Sequence, residues 1–183
     1  MTATATCFGK IILGDNLDVL PELPLGCARL IYIDPPFNTG GDQKRTRVKV
    51  VADENGDRNG FAGRRYKTST LPSTSFGDSY DDFIGFLMPR VKASLRCLAQ
   101  DGSLFVHLDY REVHYAKVAL DGLLGRSHFM NEIIWAYDYG ARQKNRWPTK
   151  HDTILWYVLD PANYTLNQDE MDQIPNNEMR HAD

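Results

Sequence analysis

The chain has 183 residues, of which 42% are hydrophobic and 25% charged, and a formal net charge of -3. That is the make-up of a soluble globular chain of one domain or a little more, long enough to bury a real core. Cys7, Cys27 and Cys97 are odd in number and scattered, which argues against a disulfide framework or a zinc cluster and fits a reducing compartment. No leader with a basic start and an apolar run opens the sequence, and no stretch reaches transmembrane length, so the expected location is cytoplasmic, away from membranes.

In chain order, KIILGD (10–15) predicts a short buried strand ending at Asp15, and NLDVLPELP (16–24) a short helix with Leu17 and Leu20 inward, stopped by proline. ARLIYID (28–34) is continuously apolar, the pattern of a parallel strand covered on both faces. Residues 38–78 are rich in Gly, Asn, Asp, Ser, Thr and Arg and predict a long basic loop with at most a small hairpin around 48–51. SYDDFIGFLMPRVKASLRCLAQDG (79–102) shows helical spacing of Phe83, Phe86, Leu87, Val91, Leu95 and Leu98. Its start is near Ser79–Asp82, an interruption is expected at Pro89, and Gly102 is its expected end. SLFVHLD (103–109) predicts a buried strand, and 110–125 an amphipathic helix. NEIIWAY (131–137) and TILWYVL (153–159) predict two further strands across a basic loop. Strands alternating with helices define an α/β fold with a mainly parallel sheet, whose ligands bind beyond the carboxyl ends of the strands. Asp15 and Asp34 both lie at such ends.

Charge is unevenly spread. Between Gln43 and Lys67, eight cations (Lys44, Arg45, Arg47, Lys49, Arg58, Arg64, Arg65, Lys67) face three acids (Asp53, Glu54, Asp57), a balance of +5. A second basic patch holds Arg142, Lys144, Arg146 and Lys150, while the tail from Gln168 is acidic. Charge runs usually mark solvated loops, but two basic loops on an acidic chain point to an anionic partner.

IYIDPPFNTG (31–40) carries the sharpest chemistry. Two prolines fix φ and withhold N–H donors, so the Pro35 carbonyl is presented rigidly beside the Asp34 carboxylate. Two adjacent acceptors suit an NH₂ group, and Phe37 offers a face for a base to stack on. Gripping both hydrogens of an aromatic amine localises its lone pair for in-line attack on an electrophilic methyl. The base must first leave the duplex. Taken by itself, Asp-Pro-Pro is equally a turn after a strand.

The segments LGDNLDVL, IYIDPPFNTG, DSYDDFIGFLMPR, GSLFVHLDYREVHYAKVALD, NEIIW and KHDTILWY resemble the amino-methylating (N6-adenine/N4-cytosine) DNA methyltransferases, to about residue 160. The likeness is to the permuted subgroup, in which Asp-Pro-Pro-Tyr/Phe precedes the cofactor motif. The resemblance implies a Rossmann-like methyltransferase sheet, S-adenosylmethionine as cofactor and double-stranded DNA as partner. It gives catalytic roles to Asp34, Pro35, Pro36 and Phe37, and a cofactor role to Asp15 with Asn16. Adenine N6 is favoured over cytosine N4 because the motif begins with Asp rather than Ser.

The family's Phe-x-Gly-x-Gly cofactor loop has no match here, since no G-x-G occurs in the sequence. The expectation is an N-terminal, catalytic-motif part (1–160), followed by the start of a target-recognition region (161–183). The Gly-rich loop would then come from a missing segment or a separate polypeptide, and the chain alone would bind the cofactor weakly. Lys44, Arg45, Arg64, Arg65, Lys67, Arg142, Lys144 and Arg146 are the expected DNA contacts. The alternatives are a DNA-binding or partner module descended from such an enzyme, and a dinucleotide-dependent oxidoreductase, which the absent G-x-G-x-x-G opposes.

His107, Asp109 and His114 lack metal-ligand spacing and are expected to form a polar cluster at a strand end. His151 and Asp152 are expected merely to flank the last strand. Trp135 and Trp156 alternate with aliphatics as core residues do. Trp147, in a basic loop before proline, is the better candidate for stacking on a base.

Overall fold

The computed structural model describes residues 9–41, 43–45, 48–53, 55–56, 58–59, 64–70, 74–138 and 144–170. Its central sheet has the order β1 (Ala28–Ile33), β7 (Leu98–Leu108), β9 (His151–Val158), β8 (Phe129–Ala136). β1 runs parallel to β7, whereas β9 is antiparallel to both β7 and β8. Three of the four strands therefore point one way. With the helices this is the α/β arrangement that the alternating pattern predicts.

Two helices cover one face of this sheet. α2 (Phe83–Leu95) starts at Asp82, whose carboxylate accepts from the Gly85 amide at 2.7 Å and so satisfies one of the free N-terminal donors. It buries Phe83, Leu87, Val91 and Ser94, a stripe at helical spacing. α3 (Val113–Leu124) buries Val113, Ala116 and Leu120 and ends at Gly125, whose φ of 95° suits glycine. These stripes meet Leu104, Val106 and Leu108 of β7 and Leu155 and Tyr157 of β9 in one core. The Tyr157 hydroxyl donates to Asp121 at 2.8 Å. Burial, and after it Asp121, pushes this phenol well above its ordinary pKa.

By the register of the ladders, the opposite face carries Leu30 and Tyr32, then Phe105 and His107, then Asp152, Ile154 and Trp156, then Ile133 and Trp135. Part of this face is open: Leu30 is 61% exposed, Tyr32 47% and Trp135 57%. Trp156 is stacked on Phe105 and donates to Ser103 Oγ at 3.0 Å, a half-buried placement close to the expected one. Trp135 instead lies exposed on edge strand β8.

Several expectations are corrected. KIILGD is not a buried strand: Ile11 is 102% exposed and Leu13 100%, and no residue of the segment joins a strand ladder among the described residues. An apolar run becomes a strand only where a neighbour meets its backbone groups, and the side of β1 away from β7 has no neighbour among the described residues. α1 (Asn16–Val19) buries no residue, so Leu17 does not point inward. Parts of the stretch 38–78 form strands rather than loop. β2 (Gln43–Arg45) pairs with β6 (Thr74–Phe76), and β5 (Arg65–Thr70) pairs with both β3 (Val48–Ala52) and β4 (Arg58–Asn59), all antiparallel. Its polar, Gly-rich composition hides these strands; residues 49–52 of β3 and 65–69 of β5 are exposed or half-buried.

Gly102 does not close α2; it lies inside β7, where the register with β1 slips between Leu98 and Ser103. A Cβ there would meet the Ala99 carbonyl oxygen at 2.9 Å and the Arg29 carbonyl oxygen at 3.0 Å, so the tight backbone at this slip favours glycine. No helix among the described residues is long and apolar enough to cross a membrane.

Candidate active site

The last ladder pair of β1 and β7 is Ile33 with Val106. One step further, Asp34 leaves the sheet beside His107, and the chain turns away through Pro35, Pro36 and Phe37. Prolines are compatible with this position because the ladder has ended. Asn38 then adopts φ 55°, a left-handed conformation that asparagine tolerates better than most residues.

A web of hydrogen bonds holds that turn. Asp78, 2% exposed, accepts from the Asn38 amide at 2.7 Å and from the Thr39 hydroxyl, and its carbonyl accepts from the Gly40 amide at 3.0 Å. Asn38 Nδ2 donates to Glu112 at 2.7 Å, and its Oδ1 accepts from the Tyr80 amide at 2.8 Å. The Asp-Pro-Pro-Phe segment is thus fastened to the entrances of both α2 and α3.

Two cavities meet at this segment. One, of about 580 Å³, is lined by Asp34, Pro35, Pro36, Phe37, Thr39, Asp78 and His107. The other, of about 440 Å³, is bounded by Asn16, Tyr32, Phe86, Leu87 and Arg90 among others, and again by Asp34, Pro35 and Pro36. Both volumes suit small organic groups. Asp15 does not line the second cavity. It caps α1 by accepting from the Leu17 amide at 2.9 Å and pairs with Arg90 at 3.2 Å, while the Arg90 guanidinium sits 4.0 Å above the Phe86 ring. Asn16 does line it.

His107 completes the first cavity. Tyr32 Oη lies 2.8 Å from its Nδ1, and Asp34 Oδ1 lies 3.7 Å from the same atom. Asp152 Oδ2 is 3.5 Å from Nε2. The rings of Phe37 and Trp135 stand 5.5 and 6.2 Å from the imidazole, Trp135 nearly parallel to it. Burial, then the carboxylates of Asp34 and Asp152, raise the Tyr32 phenol above its ordinary pKa, which keeps it a neutral hydroxyl. His107 is therefore not part of a cluster with Asp109. Asp109 turns away to accept from the Arg111 amide at 2.9 Å and to pair with the Arg111 guanidinium, and burial holds its pKa up despite that pair.

Among the described residues, none of the expected DNA contacts lines either cavity. Arg64, Arg65 and Lys67 are exposed. By register, Arg65 and Lys67 share one face of the β3–β5–β4 sheet with Lys49. Lys44 and Arg45 fall on β2. Lys144 is exposed, and exposed Arg146 lies near the Tyr110 ring. Arg142 lies outside the described residues. Trp147 is 94% exposed.

Asn38, Asp78, Glu112 and Asp152 carried no expectation of a site role in the sequence. Their signal is positional: Asn38 directly follows the signature, Asp78 precedes the α2 entrance, and Asp152 stands opposite Trp135 in a ladder only the fold reveals.

The mixed α/β sheet, with an Asp-Pro-Pro-Phe turn at a strand end between two cavities, defines a methyltransferase-like class. A family model described as DNA methylase matches residues 28–182, and the chain belongs to this N6/N4 DNA methylase family. It is 27% identical over 153 residues to the type III restriction-modification enzyme EcoP15I Mod subunit of Escherichia coli, covering 81% of this chain and 24% of that protein. With the EcoPI Mod subunit of Escherichia phage P1 it shares 25% identity over 173 residues, covering 89% and 26%. With the type II methyltransferase M.KpnI of Klebsiella pneumoniae it shares 26% over 152 residues, covering 81% and 32%. The chain thus spans about a quarter to a third of the length of these relatives.

Proposed function

We propose that this chain carries the amine-binding part of a DNA methyltransferase. In this reading the methyl group of S-adenosylmethionine passes to the exocyclic amine of a base flipped from duplex DNA, adenine N6 first among the candidates. The observation that carries the reading is the shared wall: Asp34, Pro35 and Pro36 bound both cavities. A base in the first cavity and a methyl donor in the second would meet across these residues. Asp34 and the Pro35 carbonyl accept the two amine hydrogens, and Phe37 stacks on the base.

S-adenosylmethionine supplies the electrophilic methyl. The second cavity suits such a molecule chemically, because it combines an apolar wall, the Asn16 amide and the Arg90 cation with its Asp15 partner. Asp15 acts there through Arg90 rather than by lining the cavity.

Residues 1–160 form the catalytic part in this account, and 161–183 lead toward target recognition. A further polypeptide segment with the Phe-x-Gly-x-Gly loop completes the cofactor site. The exposed Leu30 and Tyr32 on edge strand β1, and the exposed Ile11 and Leu13 before it, support such a partner. A cytoplasmic location fits this reading.

The experiment is transfer of labelled methyl from S-adenosylmethionine to duplex DNA, by the chain alone and by the chain supplied with that segment. Label in DNA supports the reading; none in either case rejects it. For the basic insertion, neutralising Arg64, Arg65 and Lys67 together should weaken DNA binding across sequences and flatten its dependence on salt, because each phosphate contact releases counterions. Binding titrations at several salt concentrations measure that slope. An unchanged slope would place the DNA elsewhere.

A further inference from the structure

Prolines fix the Asp34 backbone, but the Asp34 side chain is 60% exposed and free to rotate unless something holds it. His107 is placed to do so. Its side chain is only 14% exposed and lies on the neighbouring strand, with Nδ1 3.7 Å from Asp34 Oδ1. The imidazole is itself set on three sides. Tyr32 contacts Nδ1 at 2.8 Å, Trp135 stacks on the ring, and Asp152 approaches Nε2 to 3.5 Å.

Among the described residues, His107 Nε2 is the buried side-chain polar atom without a hydrogen-bond partner. The Asp152 contact is close enough for an ion pair but falls short of hydrogen-bond geometry. Oxygen atoms face both ring nitrogens, Tyr32 Oη and Asp34 Oδ1 at Nδ1 and Asp152 Oδ2 at Nε2.

We propose that His107 is a positioning residue: anchored by Asp152, Tyr32 and Trp135, it holds the Asp34 carboxylate in the orientation that receives the target amine. The proposal rests on the function proposed above and adds a residue to that site. The charged and titratable groups facing the ring are Tyr32 and Asp34 from β1 and its end, and Asp152 from β9, with the Tyr137 hydroxyl 3.4 Å behind Asp152.

Two measurements test it. The first needs no turnover: imidazole nitrogen–proton correlation spectra of the 183-residue chain, compared with Asp34→Asn and Asp152→Asn. The expected result is that each substitution moves the His107 nitrogen signals. Signals unmoved by both overturn the clamp.

The second is methylation by the chain supplied with the completing segment. His107→Leu should lower turnover roughly a hundredfold at saturating DNA and cofactor, as a small misplacement of a reacting group does. DNA affinity should not change, and His107→Asn, which keeps an N–H near the Nδ1 position, should recover most of the rate. Equal loss in both variants, or a loss confined to DNA affinity, overturns the proposal. If the wild-type protein does not methylate, the reading above fails, and the spectra alone support or overturn the clamp.

Discussion

Asp34→Ala is expected to abolish methyl transfer while leaving DNA affinity and the fold nearly unchanged. The amine nitrogen is flat in the ground state and becomes pyramidal and cationic as the new N–C bond forms. A carboxylate beside its hydrogens therefore gains interaction as the reaction proceeds, and such a loss appears in the rate rather than in binding. By analogy with deleting one preorganised donor at an oxyanion, the cost is about 2–4 kcal/mol, roughly a hundred- to a thousandfold. The carboxylate is too exposed for its removal to unfold the chain. Thermal melting beside single-turnover methylation separates the two effects.

Asp78→Ala should affect stability and rate together. Asp78 is buried, and its carboxylate serves the Asn38 amide and the Thr39 hydroxyl. Alanine leaves two donors at the turn without that acceptor, and stranding a buried donor costs about 1–3 kcal/mol. Asn38 is held in a left-handed conformation by these bonds and by those to Glu112 and Tyr80. Released, it would let Pro35 to Phe37 drift from the cavity wall they share. The expected outcome is a melting temperature several degrees lower and a loss of turnover beyond what the remaining folded fraction explains. Normal turnover at temperatures where the variant stays folded would mean that the web around Asn38 serves stability alone.

These predictions draw on parts of the molecule that were unequally legible in the sequence. β7, β9 and the two long helices follow from apolar periodicity, because each buries a face and the period records it; β1 and β8 were legible from their apolar content, although neither fully buries a residue and β1 is not covered on both faces. Asp34 to Phe37 were legible as well, since two prolines after an apolar strand permit few structures. What escaped depends on long-range pairing. His107, Asp152 and Trp135 meet only because β7, β9 and β8 lie side by side in one register, and nothing local to SLFVHLD or KHDTILWY indicates it. Strands β3 and β5 escaped for the opposite reason: none of their residues with a described environment is buried, so they leave no apolar signature. KIILGD shows the limit of reading apolar runs: the composition of a strand does not supply a neighbour to pair with.

The central claim is that Asp-Pro-Pro-Phe grips an exocyclic amine of a flipped base. The most direct measurement is the identity of the methylated nucleoside. DNA treated with labelled S-adenosylmethionine and the protein supplied with its completing segment is digested to nucleosides and separated by chromatography, for wild type and for Asp34→Ala. The account predicts label in N6-methyladenine from wild type and almost none from the variant. Label on a ring carbon, or equal label from Asp34→Ala with its fold intact, would contradict it.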